Sequence, residues 1–342
     1  MIKFKRGLSL LCVLSLIFGF VSCSKDKSPQ PNKRTLIDYN DLYFDTVGTF
    51  YDYTGGEISE FSRIADRVEA ELKEYHRLFN IYREYDGMAN LATVNKMAGK
   101  GAVKVDEKII NMLLFAKEMY ILTDGHVNVA MGAVLRIWHD YREEGVAIPS
   151  VEELNAAAKH TDINNLVIDE EACTVELLDA EMSLDVGAVG KGYAVEMICD
   201  SLRREGLSGY LLDVGGNLRC IGEKPNGSGW KAGVRNPDKT ANKPFVYTAE
   251  LKNNAIVTSG SYEREYEVGG VRYHHIINKD TLMPENYYLS VSVISDSSAL
   301  SDALSTAIFN MEYDEAKRFA ESFSSILRVI LVMPDGEVRV VE

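Results

Sequence analysis

Residues 183–196, "SLDVGAVGKGYAVE", pack three glycines, an aspartate and a lysine into the junction between an apolar run and a helical pattern. That junction limits the fold more than any other stretch. A strand ending at Ser183-Leu184-Asp185 must turn through Gly187, Ala188 and Gly190 into a helix. From about Lys191 that helix presents Ala194, Val195, Ile198 and Leu202 inward. Small residues before a helix expose backbone N–H groups and the positive end of its dipole, which suits an anion. The same glycines also suit a plain tight turn with no ligand. Two phosphate-binding templates fail. Asp185 replaces the first glycine, and Gly192 the Ser/Thr, of GxxxxGK[ST], and Asp185 also replaces the first glycine of GxGxxG.

The rest of the chain reads as mixed α/β. Apolar positions at helical spacing predict helices over about 57–79 and 106–123, and Ser150 with Glu153 opens a short one. Strands follow in "NLVID", "CTVELLD", "GYLLDVGG", "AIVTSG", "EREYEVGG", "VRYHHIIN" and "LSVSVIS", interleaved with helices at about 191–205, 297–310 and 313–323. A strand pair, "ILRVILVM" and "EVRVVE", closes the chain. No repeat or low-complexity segment interrupts this pattern, and one layered domain over 41–342 is expected.

The N-terminus carries a different signal. Lys3, Lys5 and Arg6 precede the apolar run Leu8 to Val21, which is short for a membrane span and matches a secretory leader. "FVSC" resembles a bacterial lipobox, so residues 1–22 are expected to be removed and Cys23 to be acylated. Residues 23–40, polar and holding two prolines, are expected to form a tether. That assigns the protein to the exported face of a bacterial membrane. Net charge is −14 for the whole chain; without the three leader cations it is −17, which disfavours nucleic acid. Cys173, Cys199 and Cys220 have no CxxC or CxxH spacing, so neither a disulfide framework nor a zinc site is expected.

Four further stretches carry polar chemistry. In "SDALSTAIF", Asp302 and Thr306 stand i to i+4, so a carboxylate and a hydroxyl share one helix face. Hard oxygen ligands so placed suit Mg²⁺, and such pairs also occur on ordinary solvated faces. "AIVTSGSYEREYEVGGVRYHHIIN" reads as a hairpin turning at Gly269-Gly270. His274 and His275 point to opposite faces of its strand, and His274 is expected to be structural. Thr258-Ser259-Gly260-Ser261 offers hydroxyls and amides for polar contacts, but no GxSxG elbow accompanies Ser259 and His275. "LLDVGGNL" sets Asp213 before a Gly-Gly-Asn turn, and the 18 tyrosines pack or stack on rings.

Taken in order, "SLDVGAVGKGYAVE", "LLDVGGNL", "WKAGVRNP", "AIVTSGSYER", "RYHHIIN" and "SDALSTAIF" resemble the ApbE-type FAD:protein FMN transferases over about residues 43–312. Upstream, "VGTF" and "TDGHVNVAMGAVLRIW" resemble that family's early flavin-contacting segments. The resemblance implies that FAD is split at its pyrophosphate with Mg²⁺ assisting. FMN passes to a Ser/Thr hydroxyl of an exported protein, membrane electron-transfer subunits among the candidates, and AMP leaves. It implies that Asp185, Lys191, Val47, His126, Val127, Asn128, Ser259 and Ile277 contact FAD. Ala188, through its carbonyl, and the side chains of Asp302 and Thr306 would hold the metal. His275 and Asp302 would act at the transferred phosphate. The family's Asp-Pro-x-Thr-Gly appears as Asn278-Lys279-Asp280-Thr281-Leu282, Asn128 stands where Asp is commoner, and Val47 replaces Met. Two rival readings share the pocket: Mg²⁺-dependent hydrolysis of FAD to FMN and AMP, and non-catalytic flavin binding.

Overall fold

The structure is a computed structural model that describes residues 35–40 and 42–342. The expected leader, Cys23 and most of the tether lie outside the described residues. Residues 35–38, inside the expected tether, instead form the first strand, so the folded body starts earlier in the chain than 41. No helix among the described residues is long and apolar enough to cross a membrane.

Strand β1 (Thr35–Asp38) and β2 (Gly48–Asp52) precede helices α1 (Ile58–Leu78) and α2 (Leu91–Lys96). Next come β3 (Val103–Lys104), α3 (Glu107–Leu122), α4 (Gly132–Glu144), α5 (Val151–Ala157), β4 (Leu166–Asp169) and β5 (Thr174–Leu177). The glycine-rich stretch opens α6 (Gly190–Arg204), which leads into β6 (Tyr210–Val214), β7 (Asn217–Ile221), β8 (Trp230–Arg235), β9 (Phe245–Leu251) and β10 (Ala255–Gly260). The chain then forms β11 (Glu265–Val268), β12 (Val271–His274), β13 (Ser290–Ser295), α7 (Ser298–Phe309), α8 (Tyr313–Glu321), β14 (Ile326–Val332) and β15 (Val338–Val341).

Eight strands make one sheet in the order β1-β2-β6-β7-β10-β13-β14-β15, every neighbouring pair antiparallel. Because side chains alternate along a strand, the sheet feeds two cores. Leu212, Val214, Val257, Val291, Val293 and Leu331 face the helices. Leu211, Cys220, Ile256, Ile294 and Ile330 face the opposite way, where the ribbon β8–β9 covers them with Trp230, Ala232, Val234 and Leu251. The mixed α/β class with antiparallel sheets is as expected. The hairpin β11–β12 turns at Gly269-Gly270, both at positive φ, as two-residue hairpin turns require.

α1 buries Phe61, Ile64, Val68, Leu72 and Tyr75, an i, i+3/i+4 stripe, and so lies flat on the layer. α7 is buried nearly all round, with Ala and Ser on most faces. Small residues let it approach the sheet and α6 closely.

Candidate active site

The mouth of α6 and the first turns of α7 meet, although the residues that join them are 110 apart in sequence. The backbone N–H of Gly192 donates to Asp302 Oδ2 at 2.7 Å. A Cβ on Gly192 would stand 2.6 Å from the Ser298 carbonyl oxygen and 2.9 Å from Asp302 Oδ2, so a side chain there would force the helices apart. Behind this contact, Glu196 of α6 takes Arg219 Nε of β7 at 2.9 Å and also accepts the Ser298 N–H of α7. Arg219 is fully buried and donates further to the carbonyls of Cys220, Asn253 and Asp296. A buried ion pair survives only when its remaining donors and acceptors are met, and these are.

A cleft of about 780 Å³ opens over this junction and is bounded by the sheet end at Asp213–Gly216 and Thr258–Gly260. Ten of the twelve residues expected to contact flavin or metal, or to act on the phosphate, line it: Ala188, Asp302 and Thr306; Asp185 and Lys191; His126 and Asn128; Ser259; His275 and Ile277. Val127 and Val47 do not. Val127 is 1% exposed, its N–H held by Thr123 Oγ1 at 3.0 Å, and its side chain belongs to the core. The Val47 side chain is 53% exposed, away from the cleft lining, and its carbonyl accepts the Gly215 N–H. Its neighbour Thr46 faces the cleft instead.

Asp302 is 5% exposed and has no ion-pair partner within 4 Å among the described residues. Burial raises its carboxyl above the usual range, opposed by Lys191, the Gly192 N–H and the Asn217 side chain. Lys191 reaches Asn217 Oδ1 at 2.7 Å rather than the carboxylate. Ser259 Oγ lies 2.8 Å from Ser305 Oγ and 3.4 Å from Thr306 Oγ1, so hydroxyls from β10 and α7 share one wall. Among the described residues no three His, Cys, Asp or Glu side chains gather as a metal cluster. A cation would therefore rest on one carboxylate, a hydroxyl and backbone oxygen. That set fits Mg²⁺, which binds few protein oxygens and keeps waters, and it would relieve an unpaired buried charge.

Asp185 accepts the Gly187 N–H at 2.8 Å, and desolvation raises its carboxyl. His274 is structural, as expected: one ring nitrogen is bound to the Glu285 carbonyl and the other accepts the Ile276 N–H. β12 ends at His274, and His275 just beyond it faces the cleft. Burial, then Arg264, His274 and Arg142, push the His275 imidazole down to about 3, so it is neutral at physiological pH. Its Nδ1 has no partner. The Asn128 amide bonds its own turn, to Ala130 N–H and the Thr161 carbonyl.

The altered loop at 278–282 is closed by side chains. Asn278 Oδ1 accepts the N–H groups of Asp280 and Thr281, and Leu282 takes φ 58°, the conformation that a glycine adopts freely. Leu282 buries against Trp138, whose indole N–H donates to its carbonyl at 2.8 Å.

Sequence reasoning missed the outer rim. Tyr82, His139, Arg142, Asp45 and Arg264 surround its mouth, with Arg264 donating to Asp45 Oδ2 at 3.3 Å and Arg142 to His139 Nδ1 at 2.7 Å. The signal available was weak: a His/Arg pair at i, i+3 on α4, beside the buried Trp138.

The ApbE family profile matches residues 47–331. The chain belongs to the ApbE family. It is 32% identical over 296 residues to the FAD:protein FMN transferase of Treponema pallidum, covering 81% of each chain. It is 25% identical over 333 residues to that of Escherichia coli K12, covering 96% of this chain and 93% of the other. The crystal structure of the ApbE protein of Thermotoga maritima superposes with a TM-score of 0.78 at 26% identity, over 90% of this chain and 97% of that one. Membership makes the chain a transferase and accounts for the order of its motifs.

Proposed function

We propose that this ApbE-family chain is an FAD:protein FMN transferase that uses Mg²⁺ and a Ser/Thr acceptor. The observation that carries the proposal is the junction of Gly192 and Asp302, which brings the anion-suited mouth of α6 and the oxygen donors of α7 to one cleft. In the reaction, the acceptor hydroxyl oxygen bonds to the riboflavin-side phosphorus. The bond from that phosphorus to the bridging oxygen breaks, and AMP departs with the bonding pair. The hydroxyl proton must go to a base.

Each part has a residue suited to it. Lys191 and the helix mouth neutralise phosphate charge as it builds on the leaving group. Asp302 and Thr306, with the Ala188 carbonyl, would hold Mg²⁺, whose contribution when bound is to offset phosphate charge. Burial holds His275 neutral, so it faces the transferred phosphate as a polar, uncharged imidazole whose Nδ1 has no protein partner. Ile277, with Met131, Leu135 and Trp138, gives the cleft an apolar stretch suited to the isoalloxazine rings. From the chain's N-terminus we propose export and lipid attachment at Cys23, tested by labelled-palmitate incorporation in wild type against Cys23→Ala.

The test is incubation with FAD and Mg²⁺, with and without acceptor protein, following AMP release and covalent flavin together. Transfer yields both, and Asp302→Ala abolishes both. Hydrolysis yields AMP with free FMN. FAD binding without AMP under every condition refutes an enzymatic role.

A further inference from the structure

β7 turns two polar side chains toward α6. Residues two apart on a strand share a face, so Asn217 and Arg219 both point from the sheet at that helix. Arg219 takes Glu196, one helical turn inside α6. Asn217 is fully buried, held in register between Val214 of β6 and Val257 of β10, and its Oδ1 accepts Lys191 Nζ at 2.7 Å. An ammonium only donates, so the amide oxygen must face Lys191 and the amide nitrogen must point away from it. That nitrogen is buried with no hydrogen-bond partner, on the side of Asp302, whose proton affinity the Asn217 side chain lowers.

Lys191 stands in the field of two buried carboxylates, Asp213 and Asp302, and its charge opposes the upward push of burial on both. Among the described residues it forms an ion pair with neither. Asp213 accepts the Gly216 N–H and has Arg235 as a second cation, whereas Lys191 is the foremost influence opposing burial at Asp302. A flexible four-carbon stem lets an ammonium seek out a carboxylate, and low dielectric strengthens that attraction. The neutral amide of Asn217 takes the ammonium instead. Stability alone gives no reason for this, since it leaves two opposite charges unpaired and an amide donor buried without a partner. Function gives one: an ion pair between Lys191 and Asp302 would cancel the two charges that a phosphate and a divalent cation must each find.

We propose that Asn217 is a positioning residue that holds Lys191 off Asp302 in the ligand-free protein, keeping the ammonium for phosphate and the carboxylate for a divalent cation. This rests on the transferase reading above, which gives the two charges separate ligands. Asn217 lies behind the cleft lining, which includes Lys191 and Asp302, so it acts through them. The central position of β7 in the sheet fixes the amide more firmly than a loop would.

The test uses the full chain and reads binding rather than turnover. Mg²⁺ is titrated by the concentration giving half the maximal thermal shift, and FAD by flavin fluorescence. In Asn217→Leu, a side chain of similar shape, the lysine loses its acceptor and turns to Asp302. The Mg²⁺ half-concentration and the FAD dissociation constant should each rise on the order of 10-fold, the size of one charge-assisted contact. The melt without ligand should stay native or rise. Adding Lys191→Met should return the Mg²⁺ half-concentration to that of Lys191→Met alone, since no ammonium remains to compete. Should leucine disturb the melt, the isosteric Asn217→Asp decides: it keeps an acceptor for Lys191 but neutralises it, so FAD weakens while the Mg²⁺ half-concentration does not rise. Native FAD binding in both variants, or a Mg²⁺ loss in Asn217→Leu of equal size with and without Lys191, overturns the positioning role and leaves the transferase reading standing. A wild type that binds neither Mg²⁺ nor FAD overturns both.

Discussion

Gly192→Ala isolates the contact on which the site depends. Gly192 is not at positive φ, so the backbone gains nothing from glycine there and alanine should favour the helix by about 1 kcal/mol. Against that stands the new Cβ, 2.6 Å from the Ser298 carbonyl oxygen and 2.9 Å from Asp302 Oδ2. Both neighbours are fixed, one in backbone and the other by the Gly192 N–H itself, so the strain is not relieved by a flexible tip. Overpacking of this kind costs about 1–3 kcal/mol. The net loss of stability is then about 0–2 kcal/mol, a fall in Tm of only a few degrees for a chain this size. Activity should respond far more. Opening the two helices moves the Asp302 carboxylate relative to Lys191, and a displacement approaching 1 Å can cost about 100-fold in rate. The assay is AMP release against Mg²⁺ concentration, with a thermal melt on the same sample. Expected are a nearly native melt, a large fall in rate and a raised Mg²⁺ half-saturation. Gly56→Ala, outside the cleft lining, is the control, since its Cβ would meet only the Thr54 side chain, at 3.2 Å. A Gly192→Ala enzyme with native rate and native Mg²⁺ response would refute the idea that this helix contact sets the site.

Lys191→Ala should weaken FAD binding by about 1–3 kcal/mol, the loss of one charge-assisted contact, measured by flavin fluorescence titration. Burial raises the Asp302 carboxyl, so the folded state binds its proton more tightly than the unfolded state. The apo protein therefore loses this stability as pH rises from the unfolded carboxyl range through the folded value. The thermal shift produced by Mg²⁺ should accordingly grow with pH, and Asp302→Asn should flatten that growth. His275 has the opposite sense: pushed down to about 3, it makes the unfolded state the better proton acceptor between there and the ordinary histidine range. Stability should fall as pH drops through that window, less steeply in His275→Asn, by denaturant unfolding at several pH values. Arg219→Met should be destabilising by at most about 3–5 kcal/mol in chemical denaturation, because it takes the buried cation from Glu196 and leaves that carboxylate Arg203 at 3.0 Å and the Ser298 N–H, while the double change Arg219→Met, Glu196→Leu recovers part of the loss.

Legibility in the sequence followed physical range. The long helices were readable because α1 and α6 each keep an apolar stripe over several turns, a local property. The hairpin at Gly269-Gly270 was readable because the turn needs positive φ at both positions. Strand partners were not. The alternation of β8 is as clear as that of any sheet strand, yet β8 pairs only with β9, and nothing within six residues encodes which edge a strand will join. α4 was not read as a helix, and its first residues entered only as part of "TDGHVNVAMGAVLRIW", since it buries little beyond Gly132, Val134 and Trp138. At residue level, Val127 and Val47 illustrate the limit of carrying roles along a motif. One residue of register in a turn decides whether a side chain meets the cleft, the core or solvent, and a motif match does not report that angle.

The two halves of the site are weak signals separately, because a glycine-rich turn and an Asp/Thr helix face are each common. Their joint occurrence gains meaning from the scaffold that holds them together. Glu196 lies one helical turn beyond Gly192, and its carboxylate receives both Arg219 of β7 and the N-terminus of α7. The ion pair thus ties the sheet, α6 and α7 at one point, directly behind Asp302. A hydrophobic core alone would allow α6 and α7 to slide by a fraction of a turn, since apolar contact is non-directional. A buried, fully hydrogen-bonded charge pair does not allow it, because sliding leaves a charge unpaired in low dielectric. The fold therefore fixes the distance between the anion-suited helix mouth and the carboxylate through electrostatics placed one turn away from the chemistry.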